Sequence, residues 1–250
     1  YDLLKELTFI GGTCLRACYG GARLSEDLDF TGGKEFSRSQ LSEMGKILTS
    51  SLNEKYGLQV IVSEPVKDKN NVDTWKIKIE TRPKQKNFPA QRINIDICRV
   101  TSYDKRPMLL LNPYGVDMGT SGLIIQAQSR EEIYADKLLA FALRPNSLKF
   151  RDLWDILWLH QQGLSPSVDL IPNKLKERNL SIEALVDLFD QRQKLLIEDK
   201  SMPQAFKKEM QRFLSPEQVA KTVEQQNLWP FLTYLIGELG LKLRKKSESS

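Results

Sequence analysis

Histidine is almost absent: His160 is the one imidazole in 250 residues. A zinc centre or a histidine-activated nucleophile has almost nothing to be built from. Chemistry must therefore run on carboxylates, Lys, Arg and hydroxyls. The cysteines are Cys14, Cys18 and Cys98. Their odd number fits no disulfide framework, so free thiols and a reducing, cytoplasmic setting are expected. No long apolar run is free of charge and helix breakers. The best stretch, Leu228 to Leu243, contains Pro230, Glu238 and Lys242, which rejects a membrane span. There are no repeats, and low complexity is confined to a Lys-Lys-Ser-Glu-Ser-Ser tail, expected to fray. No signal peptide is visible. Residue 1 is Tyr rather than Met, so a truncated start is expected.

What is present is ordinary for a folded chain: 40% hydrophobic, 28% charged and 8% aromatic residues. The length suits one large domain or two modest ones. Net charge is +5, unevenly spread. From Lys76 to Arg106 there are nine Lys or Arg against three acids, a local balance of +6. The segment reads as a hairpin whose loop is Arg82-Pro-Lys-Gln-Lys-Asn-Phe-Pro. An isolated basic loop is most often only solvated. In the right context it is the footprint of a polyanionic partner.

The first half alternates strands and helices. Apolar runs and period-two patterns predict strands at Leu7–Ile10, Leu28–Thr31, Leu58–Val66, Thr74–Thr81, Arg92–Val100 and Gly122–Ala127. Helical spacing marks Thr13–Tyr19 and Ser37–Tyr56, the latter with Leu41, Met44, Ile47, Leu48 and Leu52 on one side. Cys14 and Cys18 are four apart on the short helix and are expected to pack inward. The second half is helical: Glu131–Leu143, Phe150–Gln161, Val168–Arg178, Ile182–Leu196, Pro203–Leu214, Pro216–Val223 and Leu232–Arg244. A boundary near residue 130 therefore separates an α/β domain, 1–130, from a helical domain, 131–250.

The informative stretch runs from Phe9 to Phe30. Asp27 and Asp29 are two apart on a predicted strand, so both carboxylates share one face. Two such charges repel by ~4 kcal/mol at 4 Å and an effective dielectric near 20. A divalent cation removes that cost, and hard oxygen ligands suit Mg²⁺ or Mn²⁺. Upstream, Gly11-Gly12-Thr13 joins a strand to a helix. Glycines allow close approach to a phosphate, and helix-start N–H groups favour anions. Thr13 adds a hydroxyl, and Arg16 follows one turn later. Asp96 stands between isoleucines in Ile93-Asn-Ile-Asp-Ile-Cys98. If its strand neighbours that of Asp29, three carboxylates meet, as in two-metal displacement at phosphorus.

Each part alone has a plain alternative: a solvated acidic turn, a simple Gly-Gly turn, a capped core acid. The combination is more specific. Gly-Gly-Thr-x-Leu-Arg followed by Arg-x-Ser-Glu-Asp-Leu-Asp-Phe resembles the nucleotidyltransferases of the DNA polymerase β superfamily, and more narrowly the AbiEii/AbiGii toxin family. Glu131-Glu-Ile-Tyr-Ala-Asp-Lys-Leu-Leu-Ala140 is similar to that family's helix with a characteristic Lys, here Lys137. Arg151-Asp-Leu-Trp-Asp-Ile156 is similar to its Arg-Asp-x-x-Asp motif. The resemblance spans roughly Phe9 to Leu159.

Read without the family, Lys137 can snorkel from a helix edge, and Asp152 can compensate a helix dipole. Asp155 lies deeper, among Trp154, Leu157 and Trp158. The resemblance implies a polymerase-β-like mixed sheet followed by a helical domain that contributes Lys and Asp motifs to the active-site cleft. It implies a toxin, paired with a nearby antitoxin, that transfers a nucleoside monophosphate from an NTP with Mg²⁺ or Mn²⁺. Asp27, Asp29 and Asp96 would hold metal, with deprotonation of the attacking hydroxyl as the alternative role of Asp96. Gly11, Gly12, Thr13, Arg16, Ser25 and Lys137 would hold the nucleotide. Asp152 and Asp155 would orient the Lys or the nucleotide. The acceptor would be RNA, with the 3′ end of tRNA first, contacted by Arg82, Lys84, Lys86 and Arg92. A protein or small-molecule acceptor, an inactive nucleotide-binding module and, last, a two-carboxylate glycosidase remain as alternatives.

Overall fold

The computed structural model describes residues 5–65, 71–81, 89–112, 119–145 and 147–249. Contacts group the chain into two units: Tyr1–Gly20 with Ser25–Gln128, and Gly21–Leu24 with Ser129–Ser250.

The first unit is built on a seven-stranded mixed sheet. Its strands are β1 (Thr8–Ile10), β2 (Leu28–Thr31), β3 (Gln59–Ser63), β4 (Val72–Glu80), β5 (Gln91–Cys98), β6 (Lys105–Leu109) and β7 (Ile124–Gln128). Their order in space is β3-β4-β5-β2-β1-β7-β6. β2 runs parallel to β5, and β1 parallel to β7; the other neighbours are antiparallel. Two helices belong to this unit, α1 (Gly11–Tyr19) and α2 (Met44–Tyr56).

Strict alternation gives the sheet two unlike faces. Along β4, Trp75 and Ile77 are buried while Lys76 and Lys78 are exposed. Along β5, Ile95 and Ile97 are buried, and Phe30 of β2 lies opposite Ile97. Phe9 of β1 stacks on Phe30 with ring centroids 5.0 Å apart. This apolar face is the unit's core. The other face carries Thr31, Asp29, Asp96, Thr74, Lys76 and Lys78.

Two readings of the sequence needed correction here. The expected helix Ser37–Tyr56 is interrupted: a 3₁₀ turn at Arg38–Leu41 precedes α2. Gly11-Gly12 forms the first turn of α1 rather than a separate turn before it. β6 was not foreseen. It is an edge strand, Lys-Arg-Pro-Met-Leu, with both basic residues, Pro107 and Leu109 exposed, so no burial alternation marks it. Proline is tolerated there because an edge strand has a free side.

The second unit contains α3 (Arg130–Leu143), α4 (Phe150–Gln161), α5 (Ile171–Lys176), α6 (Ile182–Glu198), α7 (Met202–Met210), α8 (Pro216–Gln218, continued by a π turn at Val219–Val223) and α9 (Leu228–Glu248). Ser129, Ser181 and Ser215 cap α3, α6 and α8 by accepting the N–H three residues on. Leu138, Leu153, Ile156, Phe189 and Ile236 are fully buried. Phe189 meets Phe141 edge-on at 4.8 Å. A β-carbon on Gly240 would stand 3.3 Å from the Phe189 ring, so a residue without a side chain lets α9 approach α6 closely. Among the described residues no helix is long and apolar enough to cross a membrane.

Phe189→Ala is expected to remove about 3–5 kcal/mol of stability, read from urea denaturation, because the ring is fully buried and its removal leaves a cavity. A loss under about 1 kcal/mol would show that this helical core repacks freely.

Candidate active site

In the first unit the parallel register places Asp29 of β2 directly opposite Asp96 of β5. Both carboxylates therefore leave the same face of the sheet. Asp27, one residue ahead of β2, is tied to that face because Asn94 Nδ2 donates to its Oδ1 at 3.0 Å. Thr74, opposite Asp96 on the far side, donates from its hydroxyl to Asp96 Oδ1 at 2.6 Å. All three acids are half-buried. They sit as neighbours along one face rather than as a cage: among the described residues no three acidic, histidine or cysteine side chains converge as a ready-made metal site.

The donor set still suits a hard divalent cation. Mg²⁺ is commonly held by one or two carboxylates with the remaining positions filled by substrate phosphates and water. Asp29 is the best placed of the three. A β-carbon on Gly11 would stand 2.7 Å from Asp29 Oδ2, and Gly11 has a φ of +75°. Only glycine satisfies both constraints. The chain thus brings the start of α1 against the Asp29 carboxylate at the one residue without a side chain.

α1 has no side-chain cap and no acidic residue in its first turn. Its leading N–H groups, at Gly11, Gly12 and Thr13, are of the kind that bind anions. The Thr13 hydroxyl is already used, since it donates to the carbonyl of Asp27. It braces the helix start against the entry to β2, a role not foreseen for it. Arg16 is half-buried on the second turn of α1, and Ser25 is half-buried two residues ahead of Asp27. Cys14 and Cys18 are buried, as their spacing suggested. Arg92 is exposed on β5, whereas Arg82, Lys84 and Lys86 lie outside the described residues.

The second unit holds the other motif residues in a buried ionic cluster. Lys137 Nζ lies 2.8 Å from Asp152 Oδ1 and 2.8 Å from Asp155 Oδ2. Arg23 reaches Asp155 with two bonds of 2.6 Å, one to each carboxylate oxygen. Arg144 Nε donates to Asp152 Oδ2 at 2.7 Å. The fork geometry of Arg23 fixes the Asp155 carboxylate as a lysine could not. Three cations thus face two carboxylates. Lys137 is neither snorkelling nor freely extended, and Asp152 uses its oxygens on cations rather than on a helix cap.

These groups set one another's ionisation. Burial raises Asp152, but Lys137 and Arg144 outweigh it and hold its carboxyl down to about 2. Burial likewise raises Asp155, and Lys137 and Arg23 bring it below the ordinary value. Burial pushes the Lys137 ammonium down, and Asp152 and Asp155 more than reverse this. Arg23 and Arg144 were not assigned roles from the sequence. Arg23 lies 132 positions from Asp155, and no local pattern links such residues.

A sequence profile described as nucleotidyl transferase AbiEii toxin, type IV TA system, matches residues 2–235. The chain belongs to this family. It is therefore a nucleotidyltransferase toxin of a type IV toxin–antitoxin system, and the system implies an antitoxin as its counterpart. Among solved structures, JHP933 from Helicobacter pylori is similar at 17% identity and a TM-score of 0.48, with 99% of this chain and 90% of that one covered. MenT4, a nucleotidyltransferase toxin from Mycobacterium tuberculosis H37Rv, is similar at 14% identity and a TM-score of 0.48, covering 92% of this chain and 74% of that one. No curated protein matches the chain. For an AbiEii-family chain the mixed sheet followed by helices is the expected architecture.

Two predictions follow from this geometry. Gly11→Ala should abolish nucleotidyl transfer while the second unit's helices stay folded by circular dichroism, since its methyl would enter the space of Asp29 Oδ2. Retained activity would show that the approach at Gly11 is not needed. For Asp152, the folded carboxyl titrates at about 2 against an ordinary 3.8. A depressed value stabilises the fold above the ordinary value, and that share is lost as pH falls through the folded one. It amounts to about 2 kcal/mol. Asp152→Asn should therefore be less stable at pH 7, by about 3–5 kcal/mol, yet lose less than wild type between pH 4 and pH 2. Parallel stability curves over that window, from urea denaturation, would contradict the ionic assignment.

Proposed function

We propose that the chain transfers a nucleoside monophosphate from an NTP onto the 3′ end of an RNA, with tRNA as the acceptor. The observation that carries the chemistry is the pairing of Asp29 with Asp96 beside a helix start that only Gly11 can bring so close. The acceptor is argued from charge: the carboxylate face is continuous with a basic one, and the segment Lys76 to Arg106 has a balance of +6.

In this reading the N–H groups of Gly11, Gly12 and Thr13 receive the NTP phosphates, with Arg16 and Ser25 beside them. Asp27 and Asp29 would hold Mg²⁺, which would supply charge neutralisation at the triphosphate. Asp96 takes the proton of the attacking ribose hydroxyl through the oxygen that Thr74 does not occupy. The hydroxyl oxygen bonds to the α-phosphorus, the bond from that phosphorus to the bridging oxygen breaks, and pyrophosphate leaves. Asn94 keeps Asp27 in place through this step. In the second unit Lys137, Asp152 and Asp155 form a preorganised charge cluster, with Arg23 and Arg144 fixing their orientation. The 1–130 and 131–250 division then separates sheet-borne from helix-borne motifs.

Purified chain incubated with total tRNA, Mg²⁺ and each α-³²P-labelled NTP is expected to label tRNA. Asp29→Asn should lower the rate at least 100-fold, roughly the scale of losing one preorganised charge-stabilising group, and EDTA should abolish it. Label on protein or a small molecule instead would keep the chemistry and overturn the acceptor. Label that survives both Asp29→Asn and EDTA would overturn the mechanism.

A further inference from the structure

The face that carries the carboxylates does not end with them. Register across the sheet is explicit: Asp96 lies opposite Thr74, Asn94 opposite Lys76, and Arg92 opposite Lys78. Since side chains repeat on one face every second residue, Asp96, Asn94 and Arg92 of β5 stand in one line. Thr74, Lys76 and Lys78 of β4 stand in the line beside it. Each step along these lines is about 6.6 Å. The face thus changes from carboxylates, through Asn94 and Lys76, to the basic pair Lys78 and Arg92.

Two observations argue against a merely solubilising role. Like charges directly opposite on antiparallel strands destabilise a sheet, yet Lys78 and Arg92 are Cα partners. Moreover, Lys76 and Arg92 are exposed and make no ion pair or side-chain hydrogen bond among the described residues. Among the described residues Lys78 pairs with Glu80 at 3.5 Å, with side chains 47% and 38% exposed. Of the other described basic residues of the segment, Arg99 pairs with Asp73, which lies on the opposite face, Arg106 pairs with Asp104, and Lys105 is exposed on β6, at the far edge of the sheet. Three of the segment's described cations, Lys76, Lys78 and Arg92, stand together on the lines that lead to Asp96.

We propose that this strip, Lys78 and Arg92 then Lys76, is a phosphate track that lays an extended single-stranded 3′ end across β4 and β5 with its terminal hydroxyl at Asp96. The inference rests on the RNA-acceptor reading above and assigns its surface and direction. A single strand suits the geometry because successive phosphates can meet successive steps of one straight line. A duplex presents its phosphates on a curved groove edge. Sequence preference is not expected from this strip, since phosphate contacts position and base contacts specify.

The test compares Lys76→Gln/Arg92→Gln with wild type and with an equal-charge control, Lys46→Gln/Lys242→Gln, whose residues are exposed on α2 and α9. The probes are total tRNA and a labelled 12-nucleotide RNA with a free 3′ hydroxyl. Equal melting temperatures establish that the variants fold. Loss of two phosphate contacts should reduce the slope of log affinity against log salt by about 1.4, and weaken binding roughly 10–30-fold at ~0.1 M salt. The KM for RNA should rise by the same factor with the KM for NTP unchanged, and the control should match wild type. If wild type labels RNA but the strip variant keeps its salt slope and RNA KM, the track is wrong and the acceptor reading stands. If wild type labels only a non-RNA acceptor, both fail. If no acceptor is labelled, the salt slope of tRNA binding decides: a reduced slope in the strip variant alone supports the track, and an unchanged one overturns it.

Discussion

Two negative charges side by side on neighbouring strands are a liability, and the first unit is arranged around that liability. At 4 Å and an effective dielectric near 20, such a pair costs ~4 kcal/mol. Asp29 and Asp96 are fixed in this relation by parallel register and cannot slip apart without turning every other side chain of β2 to the wrong face. Phe30 and Ile97, buried on the other side of the same strands, hold that register. The apolar core therefore does more than stabilise the sheet. It sets the two carboxylates side by side, a pair whose repulsion a divalent cation would relieve.

The second unit solves the opposite problem. Asp152 and Asp155 are buried, where bare carboxylates would be strongly disfavoured. Lys137, Arg23 and Arg144 keep them ionised. Removing one member leaves a buried charge without its partner, which costs far more than the intact cluster contributes. Lys174, with Glu132 and Asp136, repeats the pattern on α3 and α5. The helical unit thus carries charge in closed, rigid groups, whereas the sheet presents charge openly on one face.

Much of this was legible in the sequence because strands encode faces. The alternation in Thr74–Thr81 and Arg92–Val100 marks β4 and β5, and period two puts Asp27 and Asp29 on one face; that Asp96 joins them depends on the pairing of β2 with β5. α4 was legible to its ends, Phe150 and Gln161, because an apolar stripe and an acidic first turn both mark it. What stayed hidden depends on long-range contact. Arg23 precedes β2 in sequence but meets Asp155 in the helical unit. Thr74 and Asn94 look like ordinary strand residues until register sets them beside Asp96 and Asp27. The role of Gly11 is visible only as the distance a missing methyl would have to Asp29.

The central claim is that the Asp27–Asp29–Asp96 face binds nucleotide through a divalent cation. The most direct measurement is NTP affinity by calorimetric titration, with and without Mg²⁺, for wild type and Asp29→Asn. The account predicts tight binding only with Mg²⁺ in wild type, and weak, metal-independent binding in the variant. Equal affinity with and without Mg²⁺, in both proteins, would contradict it.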